Sequence, residues 1–104
     1  MTPEEQAREQ ADQDLRAVLL TPAGRRFVWR VVESMTRSLD GSFAGEATHA
    51  TAYNEGLRAV GLHITLETQR VAPELYVVML QEALQEREDA RRRREAMPQE
   101  PDEG

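Results

Sequence analysis

With 104 residues and 39% hydrophobic content, the chain can build one modest core and not two. Zero cysteines exclude disulfides, thiolate metal sites and cysteine nucleophiles, and no apolar run approaches the ~20 residues of a membrane-spanning helix. The formal net charge of -6 counts against generic polyanion binding, because phosphate contacts need surplus cations.

The charge is segregated along the chain. In residues 1–14, Glu4, Glu5, Glu9, Asp12 and Asp14 are offset only by Arg8. In residues 15–39, Arg16, Arg25, Arg26, Arg30 and Arg37 are offset only by Glu33. The two segments can neutralise each other. All 13 basic residues are arginine; arginine suits bidentate contacts with carboxylates, and a GC-rich coding sequence gives the same bias. The opening Met1-Thr2-Pro3-Glu4-Glu5 is acidic and polar and does not read as a signal peptide, so a cytosolic protein is expected.

Thr2-Pro3-Glu4-Glu5 is a helix start: Thr2 caps, Pro3 takes the first helical position and Glu5 can close a capping box. Ala7, Ala11, Leu15, Val18 and Leu19 follow at helical spacing, and because its first half offers only alanines to a core, residues 1–13 are expected to fray. Thr21-Pro22 repeats the start signal. The second helix is predicted from Pro22 to about Ser38, with Phe27, Val28, Val31, Val32 and Met35 as its apolar arc. Arg26, Arg30, Glu33 and Arg37 form the opposite stripe, and Trp29 lies at the boundary.

Asp40-Gly41 stops that helix, and a loop containing Phe43 runs to Gly45. The third helix is predicted from about Ala47 to Val71 and is apolar on two sides. Tyr53, Leu57, Val60, Ile64 and Val71 make one stripe; Ala52, Ala59, Leu62 and Leu66 make the other. Such a helix belongs between neighbours, which makes it central. Gly56 and Gly61 each cost ~1 kcal/mol relative to alanine inside a helix, a cost offset by close approach of another helix. Pro73 opens the last helix, whose apolar side is Leu75, Val78, Met79, Ala83 and Leu84. Beyond Leu84 it is charged, with Glu88–Arg92, Asp89–Arg93 and Arg91–Glu95 spaced to pair. Pro98 ends it before an acidic tail.

No catalytic or cofactor-binding constellation is legible. His49 and His63 lie ~21 Å apart on one helix and cannot share a metal ion. The hydroxyls of Ser34, Ser38, Ser42 and Thr51 have no histidine and acid brought to them by the helix reading. Glu55 and Glu67 are too distant for acid–base work. The Arg91-Arg92-Arg93-Arg94 run carries its own acidic partners and reads as a solvated helix. The stripe Arg26, Arg30 and Arg37 beside Trp29 is the better binding candidate, since arginine and tryptophan are enriched at interface hot spots.

The order Thr21-Pro22-Ala23-Gly24-Arg25-Arg26 with Trp29-Arg30, then Asn54-Glu55-Gly56-Leu57-Arg58 with Gly61, then Pro73-Glu74-Leu75-Tyr76 resembles a family of small tailed-bacteriophage proteins first named from a Bordetella podovirus. The resemblance covers about Asp14 to Met79. It implies a product of the virion-assembly region and carries across no catalytic residue. Among the matching positions, Arg25, Arg26, Arg30, Asn54, Glu55 and Arg58 are read as having no core job. They would form one polar network between the second and third helices or one surface for a partner.

These readings predict an all-α bundle of three to four helices, with a central third helix and a long charged C-terminal helix. The chain divides into an acidic helix start (1–13), a helical core (14–84), a charged extension (85–97) and a tail (98–104). The expected function is that of a non-enzymatic virion or assembly protein near the portal or head–tail junction. Its partner-binding residues are Arg25, Arg26, Trp29, Arg30, Arg37, Asn54, Glu55 and Arg58, and no metal or cofactor is expected. Expected partners are portal, connector or capsid proteins and further copies of the chain, met in the host cytoplasm during assembly or in the virion. The alternative is a nucleic-acid accessory protein using Arg25, Arg26, Arg30 and Arg37, which the net charge disfavours.

Overall fold

The computed structural model describes residues 1–37 and 48–98. Four helices follow in order: α1 (Pro3–Leu19), α2 (Pro22–Arg37), α3 (Thr48–Val71) and α4 (Pro73–Ala96), with no strand among the described residues. The fold is the expected all-α bundle with a long, charged last helix. The Asp40–Gly45 loop with Phe43, the hydroxyls of Ser38 and Ser42, and tail residues 99–104 lie outside the described residues.

The first two helices start as their sequences dictate. Thr2 Oγ1 accepts from the Glu5 N–H at 3.1 Å, with Pro3 at the first helical position. Thr21 does the same for α2, accepting from the Gly24 N–H at 3.0 Å, and its hydroxyl donates back to the Val18 carbonyl at 3.2 Å. Those two bonds fold the end of α1 onto the start of α2. The approach is so close that a Cβ on Gly24 would collide with the Val18 carbonyl. At the α3–α4 corner there is no side-chain cap; Ala72 leaves the helical conformation (φ -146°, ψ 72°) and Pro73 restarts it.

The core is small. Leu19, Val28, Val32, Ala72 and Met79 are buried, and Leu15, Trp29, Ile64, Val71, Leu75 and Tyr76 pack against them half-covered. Each large apolar side chain fully buried there contributes ~1.5–3 kcal/mol. α2 and α3 run antiparallel. Gly61 faces Met35 and Thr36 near the end of α2, where an added Cβ would stand 3.2 Å from the Met35 Cβ. At the other end, Arg16 of α1 donates to the Val71 carbonyl and pairs with Glu74. Gly61 thus gives the close approach expected of it, whereas nothing lies within 4 Å of a Cβ on Gly56.

α3 touches all three other helices, as does α2. Its second apolar stripe, however, is not covered: Leu62 and Leu66 are 54% and 53% exposed, and Ala52 and Ala59 are exposed with them. The helices splay instead of closing. The molecule measures 72 × 39 × 15 Å with a radius of gyration of 18.7 Å, against ~13 Å for a compact domain of this length. Its accessible surface is 8266 Å², where a folded monomer of this mass exposes ~5900 Å².

Two ends project. Every residue from 1 to 11 is exposed, and α1 is first tied down at Asp12, whose carboxylate takes two hydrogen bonds from Arg70. At the far end, α4 continues past the core on ion pairs of Arg91 with Glu88 and Glu95, Arg92 with Glu88 and Arg93 with Glu86. The expected Asp89–Arg93 pair does not form. Asp89 accepts from Gln85, and Arg93 reaches back seven residues to Glu86.

Candidate functional site

Arg25 anchors the site. Its Nε and Nη2 bond both oxygens of Glu82 at 2.6 and 3.1 Å, and its Nη1 donates to the Leu19 carbonyl at 3.0 Å. One guanidinium therefore satisfies an open carbonyl at the end of α1 and clamps α2 to α4. Arg25 is 9% exposed. Arg25 therefore has the structural job that the sequence reading denied it. The hydrogen bonds from Arg25 hold the Glu82 carboxyl below the usual carboxylate range against the desolvation penalty, with the positive charges of Arg25 and Arg26 adding to the effect.

Above that clamp α2 and α4 separate, leaving a groove of about 740 Å³. Its apolar floor comes from Trp29 on α2 and Met79, Ala83 and Ala90 on α4. Its walls carry Arg26, Arg30 and Arg87 with Glu33, Glu86 and Asp89. Trp29 is half-buried, its inner edge completing the core and its outer edge lining the groove. None of Arg26, Arg30 and Arg87 makes a side-chain hydrogen bond or ion pair among the described residues. Arg30 is also shared with a shallow depression on the next face of α2, formed by Phe27, Val31, Ser34 and Met35. Phe27 is 59% exposed there.

The structure thus gathers Arg26, Trp29 and Arg30, and sets Arg25 beneath them. Arg37 ends α2, and its side chain falls outside the described residues. Asn54, Glu55 and Arg58 do not join the groove. They lie on α3 on the far side of Gly61, ~5–10 Å along the helix from the point where the end of α2 meets it. Among the described residues none of the three makes a side-chain hydrogen bond, so of the two arrangements read from the sequence, a polar network or a partner surface, the network is not formed among them. The reason is register: an antiparallel α3 puts residues 54–58 beside the end of α2 and Arg25 beside its beginning.

The groove residues missed by sequence are Glu82, Met79, Ala83, Arg87 and Ala90. Glu82 was legible in principle, because it stands three residues after Met79 and seven after Leu75, on the core register of α4. A carboxylate there calls for a partner.

The chemistry of the groove is that of charged and apolar contacts. No serine, threonine, tyrosine or histidine lines it. His63 is exposed on α3, and the His49 side chain is outside the described residues. No group of three or more His, Asp or Glu side chains that could hold a metal ion occurs among the described residues. No described helix is long and apolar enough to cross a membrane.

Residues 15–81 match the model of the Bbp19-like phage proteins. The match covers more than half of the chain, and the chain belongs to that family; it is a bacteriophage protein. Neither the curated proteins nor the solved structures contain a match to it. The matched span contains the Thr21–Arg25 corner and the α2 wall of the groove and stops one residue short of Glu82.

Proposed function

We propose that this phage protein is a non-enzymatic part or aid of virion assembly that acts through protein–protein contacts near the portal or head–tail junction. The observation that carries this reading is the α2–α4 groove, in which Trp29 lies between Arg26, Arg30 and Arg87, which make no side-chain hydrogen bond or ion pair among the described residues. Tryptophan and arginine are the side chains most enriched where binding energy concentrates. The large accessible surface and the uncovered Leu62–Leu66 stripe support the same reading, because a chain that splays its helices gains stability by packing on others. Portal, connector or capsid proteins and further copies of the chain are the proposed partners, in the host cytoplasm during assembly or in the virion.

Nucleic-acid binding through Arg25, Arg26, Arg30 and Arg37 is less well supported, since Arg25 is committed to Glu82 and Leu19. The deciding experiment is mass spectrometry of purified virions with copy-number estimation. Recovery at a copy number matching portal or tail symmetry is the expected result. Absence from the particles, with salt-sensitive DNA binding by the purified chain, would overturn it.

A further inference from the structure

We propose that the projecting first three turns of α1 dock in the α2–α4 groove of a second copy of the chain. The proposal rests on the reading above that the chain acts by protein contacts, and it names one of the partners and the surface that partner uses.

The arm lacks a partner of its own. Residues 1–11 are exposed throughout, and a free helix of fewer than ~12–15 residues is marginal in water without tertiary contacts. Its charges match the groove. On the face the arm presents, Glu4 makes no ion pair and Asp14 is held only by Gln10 among the described residues, and Arg26, Arg30 and Arg87 make no ion pair across the groove. The groove's own four acids are less available: Glu82 is held by Arg25, Glu86 by Arg93 and Asp89 by Gln85, and Glu33 is not free either. Arginine meeting carboxylate in a partly desolvated cleft forms short, bidentate bonds that outweigh the loose pairs of an open surface.

Shape agrees with charge. Ala7 and Ala11 lie one turn apart on the arm with Glu4 and Asp14 on the same face, so a thin apolar ridge is bordered by carboxylates. The groove presents the counterpart, with Trp29, Ala83 and Ala90 between arginines. From Met79 to Ala90 the α4 wall runs ~16 Å, and the arm from Pro3 to Asp12 runs ~14 Å.

The arm cannot serve its own groove. The groove opens at the Arg25–Glu82 clamp, which touches the Leu19 carbonyl at the end of α1, and it extends from there along α4 toward Ala90. α1 runs the other way, past the α3–α4 corner, where Asp12 meets Arg70 and Arg16 meets Glu74. Arm and groove therefore lie at opposite ends of one unbroken helix. A contact between two different surfaces repeats from copy to copy, closing as a reciprocal pair or a ring where the rotation closes and running on as a filament where it does not. The accessible surface exceeds that of a compact monomer by ~2300 Å², more than the ~800 Å² each partner contributes to an interface of standard size.

The test is sedimentation of the full chain from micromolar to millimolar concentration, read together with the emission of its only tryptophan. The intact chain should associate, and Trp29 emission should shift to the blue as it does. Reversing the arm (Glu4→Arg with Asp14→Arg) or the groove (Arg26→Glu with Arg30→Glu) should raise the dissociation constant by ~tenfold or more. Combining both reversals should restore association and the blue shift. All four positions are exposed, and far-UV circular dichroism checks that each variant keeps its helices. A chain that stays monomeric at millimolar concentration overturns the proposal, as does association indifferent to both reversals. If the protein is found in virions while the isolated chain is monomeric, this contact falls and the assembly reading stands. If charge-swap rescue succeeds while virions lack the protein and the purified chain binds DNA in a salt-sensitive way, the contact stands and the assembly reading falls.

Discussion

Arg25 shows how one side chain can set the geometry of three helices. It bonds the last residue of α1, stands on α2 and grips Glu82 of α4. Replacing it with methionine keeps the bulk but leaves a carboxylate and a carbonyl unpaired; thermal unfolding should move down by several degrees, with the groove less well ordered. The pH dependence follows from sign. Glu82 has an ordinary value of 4.5 and a lowered one in the fold, so its pair stabilises fully above that ordinary value and is lost as pH falls through the lowered one. Asp12 and Glu67, lowered chiefly by hydrogen bonds from Arg70, behave alike, as does Glu74, lowered by its own backbone N–H and by Arg16. Melting temperature should be flat above pH ~5 and fall below it, with a shallower fall in Glu82→Gln. Two glycines give a contrasting pair. Gly56→Ala meets nothing and should stabilise by ~0.5–1 kcal/mol. Gly24→Ala drives a methyl into the α1 backbone and should destabilise by ~2–3 kcal/mol. Both are read by chemical denaturation.

Individual elements keep their helical form for different reasons. α2 and the first half of α4 are held by burial, with Met79 2% exposed at the centre; Met79→Ala should cost ~2–5 kcal/mol. The second half of α4 has no core and relies on pairs such as Arg91–Glu88 and Arg92–Glu88, each worth ~0.2–0.5 kcal/mol on an exposed helix. At ~1 M salt the screening length falls to ~3 Å. Amide exchange should then accelerate in residues 88–96 and not in residues 75–83. The arm of α1 has neither support among the described residues beyond its Thr2 cap, and is the helical segment most dependent on a partner.

At the scale of the whole molecule, five buried apolar residues among those described support a chain that exposes 8266 Å². Phe27, Tyr53, Leu62, Leu66, Val77 and Leu84 are all exposed, with Tyr53 at 68%. If copies cover these faces, apparent stability is tied to protomer concentration by mass action. The melting temperature should rise by several degrees over a hundredfold increase in concentration, and a concentration-independent melt would show the free chain to be stable as it stands.

How much of this was legible in the sequence follows from the range of the forces involved. The helix starts at Pro3, Pro22 and Pro73, the all-α class and the charged last helix were all readable. Capping, proline geometry and 3.6-residue periodicity act within one or two turns, so neighbouring residues specify them. Arg26, Trp29 and Arg30 were singled out for the same reason: they share one helix face. The tertiary structure alone decided that Arg25 turns inward to Glu82, 57 residues away, that Asn54, Glu55 and Arg58 lie at the other end of α2, and that the Leu62–Leu66 stripe stays open. Those outcomes depend on which helices meet and in what register. Many packings can satisfy the same amphipathic pattern, and long-range contacts select among them.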